Sequence, residues 1–190
     1  MGFLEPDRYF SRISKIDVER DLLGCGLRFA LLDVDNTIRS RATHDMPRDV
    51  GFWLARARSL GVSFCLVSNN WHDDIFTFAN RLSLPVVAKA MKPLPPGYIM
   101  GMKRIGGTRA DTVVIGDQLS TDVVGAHAVG LRAYLVQPLV EQDLKHTKVI
   151  RQFERALLGD RAPEGAPSGA AAGGQRFADE GTKTDGTETR

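Results

Sequence analysis

At 190 residues, 43% hydrophobic and 25% charged with a net charge of +2, the chain has the composition of a globular protein and the length for one full hydrophobic core. No apolar run approaches the roughly 20 residues that a membrane span needs, two cysteines are too few for a disulfide framework, and the near balance of charge does not mark a nucleic-acid binder. The opening MGFLEPDRYFSR has acid and no apolar leader-like stretch, so a cytoplasmic location is expected.

Taken in chain order, RYFSRISKI (8–16) mixes aromatics with cations and reads either as a helix packed on the fold or as a segment that meets anionic lipid. LRFALLD (27–33) is a short run, apolar on both faces, as expected of a buried parallel strand. The loop IRSRATHDMPRD follows with Arg39, Arg41 and Arg48, a second candidate for contact with anionic lipid, and leads into the helical pattern PRDVGFWLARARSL. Then strands VSFCLVS (62–68), PVVA (85–88), TVVIG (112–116) and RAYLV (132–136) alternate with helical stretches WHDDIFTFANRL, PPGYIMGMKRI and STDVVGAHAV. VEQDLKHTKVIRQFERALL closes the series as a helix. Cys65 falls in a strand and reads as core, while Trp53, Phe76 and Phe78 read as helix packing rather than a stacking platform.

From about Asp160 the text has one aromatic and no Leu, Ile, Val or Met, which cannot bury enough apolar surface to offset ordering entropy. The expected organisation is therefore a folded domain over 1–159 and a disordered polar tail over 160–190. The domain is expected to be a doubly wound α/β fold, with a mostly parallel five-stranded sheet and helices on both faces.

Ligands of such folds gather beyond the carboxyl ends of the strands. The first strand ends in Asp33 with Asp35 beyond it, and the second in Ser68, followed by Asn69 and Asn70. PVVA leads to Lys89 and Lys92, and TVVIG to Asp117. Any one of these could be a helix cap. Together they bring acid, hydroxyl, ammonium and acid to one edge. The histidines His44, His72, His127 and His146 show no metal-ligand spacing.

DVDNT, VSNN, KP and GDQLSTD resemble the four motifs of the haloacid dehalogenase (HAD) superfamily of phosphotransferases. SRISKIDVERDLLGCGLRFALLDVDNT, KAMKP and VIGDQLSTD are similar, more narrowly, to its class III YqeG-like branch, which is related to phosphatidylglycerophosphate phosphatases. The likeness runs from about residue 8 to 158. It implies a Rossmann-like HAD fold and a phosphomonoester hydrolase working through an aspartyl phosphate. Asp33 would attack phosphorus, splitting one hard displacement into two easier ones. Mg²⁺ would take hard oxygen ligands from the Asp33 carboxylate, the Asp35 main-chain carbonyl and Asp117, with Asp122 supporting the metal or capping its helix. The Asp35 side chain would protonate the leaving oxygen and later deprotonate water. Thr37 would orient this region, and Ser68 and Asn69 would bind phosphoryl oxygens at a helix start. Lys92 is preferred to Lys89 as the phosphate-binding lysine because it is the one that precedes a proline, as in the family; Pro93 also biases its backbone away from helix.

Only 34 residues lie between Asp33 and Ser68, room for a loop and one crossover helix, and the Ser68–Lys92 interval is shorter. No large cap domain fits. An open site suits a substrate that itself helps exclude water, and the resemblance points to a lipid head group such as phosphatidylglycerophosphate at the inner face of a membrane. A soluble or macromolecular phosphomonoester remains open, as does a non-enzymatic receiver-like phosphoacceptor. Receivers, however, carry their metal-binding acids ahead of the phosphorylated aspartate, whereas Asp117 comes after it here.

Overall fold

A computed structural model describes residues 2–139 and 162–166. The predicted closing helix, His146 within it, and nearly all of the predicted tail lie outside the described residues.

Among the described residues six strands form one sheet, every pair parallel: β1 (Arg8–Phe10), β2 (Phe29–Leu32), β3 (Ser63–Val67), β4 (Val86–Val87), β5 (Thr112–Gly116) and β6 (Arg132–Val136). Their spatial order is β1-β6-β5-β2-β3-β4. All five predicted strands are present. The sixth is Arg8–Phe10, in the segment read as a helix: it pairs with β6 through Arg8 opposite Tyr134 and Phe10 opposite Val136. An edge position asks for only three residues, which leaves no periodicity to read. Phe10 and Ile13 are buried, and Arg8 and Arg12 are ion-paired with Asp21 and Asp49, so this segment is built into the fold.

The apolar runs are continuous because both sheet faces are covered, and strand period two divides them. Ala30, Leu32, Phe64, Leu66, Val113 and Ile115 face one layer, formed by helices α1 (Arg48–Ser59) and α2 (Asp74–Leu82) through Val50, Trp53, Leu54, Ile75 and Phe78. Leu31, Cys65, Val67, Val114 and Leu135 face the other, where α3 (Pro95–Arg104) and α4 (Val124–Ala128) contribute Tyr98 and Ala126. Along α2 the buried residues are Ile75, Phe78 and Ala79, at helical spacing, so Phe76 turns outward and is exposed, contrary to its reading as packing.

Two helix starts differ from expectation. α2 begins three residues late, because Ser68 Oγ accepts the Asn70 N–H at 3.0 Å and Asn70 Oδ1 accepts the His72 N–H at 2.8 Å; such local bonds compete with helix. Ser68 and Asn69 therefore lie in a loop, short of the helix start. α4 is preceded by a π-helical turn, Leu119–Val123, that contains Asp122.

Within the segment read as tail, residues 162–166 run beside β1. Ser11 N–H donates to Glu164 O at 2.9 Å, Glu164 N–H donates to Tyr9 O at 2.8 Å, and the Glu164 carboxylate meets Arg8. Backbone pairing of this kind needs no apolar side chain, so composition does not reveal it.

Candidate active site

From β2 the chain runs to β3 and β4 on one side, and the neighbour on its other side is β5, reached only later in sequence. The crevice of a doubly wound sheet lies at such a reversal. Asp33 follows β2 and Asp117 follows β5, and the Asp33 N–H donates to Ile115 O at 2.9 Å, so sheet pairing itself brings the two acids together.

Beyond Asp33 the chain folds into a tight loop. Val34 O accepts the N–H groups of Thr37, Ile38 and Arg39 at 3.3, 3.1 and 3.1 Å, and Asn36 takes a left-handed φ of 66°, which asparagine tolerates better than most residues. The turn carries Thr37 back over the strand end, where its hydroxyl donates to Asp33 Oδ2 at 3.1 Å.

The loop after β4 supplies the cation. Lys89 and Met91 both adopt positive φ, 51° and 55°, an uncommon backbone for residues with side chains that persists where the surroundings over-determine it. Met91 points to solvent and Lys92 inward. Asn69 holds this geometry: its Oδ1 accepts the Lys92 N–H at 2.6 Å and its Nδ2 donates to Lys92 O at 3.0 Å. The Asn69 carboxamide is thus engaged with the Lys92 backbone. Lys89, the rival lysine, sits at the surface with its ammonium 5.1 Å from the centroid of the Trp71 ring.

The Lys92 ammonium reaches Asp33 Oδ1 and Asp122 Oδ1, the latter at 2.7 Å. Burial opposes its charge, but the carboxylates of Asp122 and Asp33 outweigh that and hold the ammonium well above the ordinary lysine range. Burial likewise pushes the Asp122 carboxyl above the ordinary carboxylate range, against the pull of Lys92. The other Asp122 oxygen accepts the Gln118 N–H at 3.2 Å. Both Asp122 oxygens are therefore occupied, one by the lysine and one by the loop that carries Asp117. Gly116 makes room for it, since a Cβ there would lie 2.2 Å from Asp122 Cγ.

Carboxylate oxygens of Asp33, Asp117 and Asp122 come within 4.8 Å of one another, and all three residues are buried. Three carboxylates against one ammonium leave two negative charges with little water to screen them. A divalent cation with a preference for hard oxygen matches both the charge and the donor set. Tyr98, fully buried, donates its hydroxyl to Thr121 O at 2.7 Å and closes the floor behind Lys92. Desolvation holds its phenol well above the ordinary range, so it stays neutral and keeps the proton it donates.

Asp33, Thr37, Lys92, Asp117 and Asp122 thus meet in one cluster, with Ser68 buried on the β3 loop beside it. Asp35 has a partner that the sequence reading assigned elsewhere. Arg39, taken for a surface loop arginine, is buried, and its Nε donates to Asp35 Oδ1 at 2.9 Å. The available signal was the spacing of four residues between acid and base. Arg41 and Arg48 are exposed, as expected of that loop.

Residues 90–152 match a family model described as HAD-hydrolase-like. Over 160 residues the chain is 32% identical to the probable phosphatase YqeG of Bacillus subtilis, covering 82% of this chain and 90% of that protein. An uncharacterized protein from Listeria monocytogenes serotype 4b shares the fold at a TM-score of 0.50 and 15% identity, over 62% of this chain and 85% of that one. The cobalt-bound deoxy-D-mannose-octulosonate 8-phosphate phosphatase of Haemophilus influenzae aligns at a TM-score of 0.48 and 15% identity, over 70% and 88% of the two chains.

Proposed function

The chain belongs to the YqeG-like branch of the HAD superfamily and is a phosphatase, and from that premise we propose that it hydrolyses a phosphomonoester through a phosphorylated Asp33, with Mg²⁺ bound, on a lipid head group such as phosphatidylglycerophosphate. The observation that carries this reading is the buried cluster in which Lys92 joins Asp33 to Asp122 beside Asp117.

Two anions must approach one another, and Lys92 lowers that repulsion while Thr37 fixes the carboxylate. Asp33 bonds to phosphorus as the ester oxygen departs with a proton from Asp35. Water then attacks phosphorus, gives its proton back to Asp35, and displaces Asp33 as inorganic phosphate leaves. Ser68, buried on the β3 loop, would hold a phosphoryl oxygen through its hydroxyl. Asn69 serves by fixing Lys92. Asp33, the Asp35 carbonyl and Asp117 would hold the Mg²⁺, and Asp122 would set the position of Lys92 and the Asp117 loop. Bound there, the ion would supply positive charge for the phosphoryl oxygens.

The lipid part of the proposal is supported by openness and by the surface beside the site. Only α1 separates β2 from β3, and only α2 separates β3 from β4, so no inserted domain covers the strand ends there. Met91 and Leu94, which flank Lys92 and Pro93, are 54% and 53% exposed, and Trp71 on the facing loop is 64% exposed beneath the Lys89 ammonium. Apolar side chains next to cations suit an anionic lipid surface. No helix among the described residues is long and apolar enough to cross a membrane.

Phosphate release from purified protein and Mg²⁺, assayed against phosphorylated lipids in vesicles, sugars, nucleotides and phosphopeptides, tests the reading. Turnover concentrated on lipid phosphates is expected. Turnover concentrated on a soluble class would replace the lipid assignment, and none on any class would remove the proposed chemistry.

A further inference from the structure

Arg39 is 2% exposed, and its guanidinium is shared between two carboxylates. Nε donates to Asp35 Oδ1 at 2.9 Å, and Nη2 lies 2.9 Å from the same oxygen. Nη1 donates to Asp74 Oδ2 at 2.9 Å, in the first turn of α2, and the guanidinium carbon stands 5.2 Å from the Phe78 ring centroid one turn further on. Its backbone is held as well: Arg39 O accepts the Asn36 N–H at 2.7 Å, inside the loop that presents Asp35. A guanidinium buried this deeply is tolerated only where a fixed fork geometry repays its lost hydration. Here the fork ties the Asp33–Asp35 loop to α2.

We propose that Arg39 is a positioning residue for proton transfer: by gripping Oδ1 of Asp35 and anchoring on Asp74, it leaves Oδ2 as the oxygen that gives and takes the proton. The proposal rests on the reading of Asp35 as proton carrier. A free carboxyl rotates and exchanges its two oxygens. With the Nε–H directed at Oδ1 and Nη2 close to it, that oxygen is engaged as an acceptor, and Oδ2 is the one left for proton transfer. In the first half-reaction the ester P–O bond breaks, and the Oδ2 proton passes to the departing oxygen, which leaves as an alcohol. In the second, water loses a proton to Oδ2 as its oxygen bonds to phosphorus and the Asp33–phosphorus bond breaks. Asp35 ends as it began.

The test exploits leaving groups. 4-Nitrophenolate departs without a proton, phenolate needs some help, and an alkoxide cannot leave unaided. Turnover of 4-nitrophenyl phosphate, phenyl phosphate and glycerol 3-phosphate is measured with Mg²⁺ for the full-length chain and for Arg39→Lys, Arg39→Met, Asp74→Asn and Asp35→Asn. Both Arg39 variants are expected to lose kcat by under about tenfold on the nitrophenyl ester and by about 10²- to 10³-fold on the alkyl ester, within the range of acid–base contributions, with KM nearly unchanged. Lysine does not rescue, because a point charge cannot span Asp35 and Asp74. Asp74→Asn, at a position 40% exposed, gives a smaller loss with the same tilt. Equal losses across the three esters in the Arg39 and Asp74 variants, alongside a tilt in Asp35→Asn, would overturn the positioning role alone. Absence of tilt in Asp35→Asn would remove the proton-carrier reading and this proposal with it.

Discussion

Lys92 donates to Asp122 at 2.7 Å while the same ammonium meets Asp33, so one buried cation restrains two acids, one just past β2 and one in the π-helical turn before α4. Removing it leaves three buried carboxylates facing one another. Lys92→Met is expected to lower stability by about 3–5 kcal/mol in EDTA, the usual cost of stripping one partner from a buried ionic cluster. Mg²⁺ should restore part of that loss, because a ligand that binds only the folded state stabilises it. Urea melts of parent and variant with EDTA and with Mg²⁺ measure both effects. A variant as stable as the parent in EDTA would mean that the ammonium is not the partner on which these acids depend.

Asp33→Asn keeps the shape of the nucleophile and removes its charge. Turnover of 4-nitrophenyl phosphate should fall by at least about 10³-fold, since an amide oxygen is a poor nucleophile for phosphorus. The fold should survive, because the Asp33 N–H still pairs with Ile115 O and the amide oxygen can still accept from Thr37. Kinetics together with circular dichroism decide the matter; a folded variant that retains a tenth of the activity takes the nucleophile's role away from Asp33.

How far the sequence reveals this site depends on where each residue's partner lies. Asp33, Ser68, Lys92 and Asp117 could be aligned because a buried parallel strand is a continuous apolar run whose end is visible in one dimension, and Pro93 marked Lys92 over Lys89. Arg39 could not be placed the same way. It stands among Arg41 and Arg48 in a loop, and what buries it is Asp74, on a helix 35 residues further along. Asn69 gives a similar lesson: both ends of its carboxamide are taken by the Lys92 backbone, a partner 23 residues away that its own neighbourhood in the sequence does not announce. β1 was missed because three edge residues carry no period.

Gly116→Ala tests the packing between β5 and the π-helical turn. A methyl group there would lie 2.2 Å from Asp122 Cγ and 2.3 Å from Oδ2, so the carboxylate must move, and with it the anchor of Lys92. The expected costs are about 1–3 kcal/mol of stability, typical of overpacking, and a loss of at least about tenfold in kcat. Melting and turnover measured on one preparation check this. Full activity in a variant with lowered stability would show that Asp122 can shift without disturbing the lysine.

Asp21 provides a pH test remote from the site. It is completely buried, where desolvation raises a carboxyl, yet hydrogen bonds from Arg20 and Arg8 and from the Asp17 N–H outweigh this and bring it down to about 2. With a folded value below the unfolded value of about 3.9, the unfolded chain binds more protons between the two. Stability from this group is therefore complete above about pH 4 and is lost as pH falls towards 2. The difference between those two values corresponds to at most about 2–3 kcal/mol at neutral pH, because Arg20 is exposed and water screens its share. Urea melts of the parent and of Asp21→Asn at pH 7, 4, 3 and 2 should show a gap of that size at the first two values that closes towards the last. A gap that stays constant down to pH 2 would assign the loss to packing or to hydrogen bonds that asparagine cannot make, and would mean that the Arg8 and Arg20 contacts do not depend on the charge of Asp21.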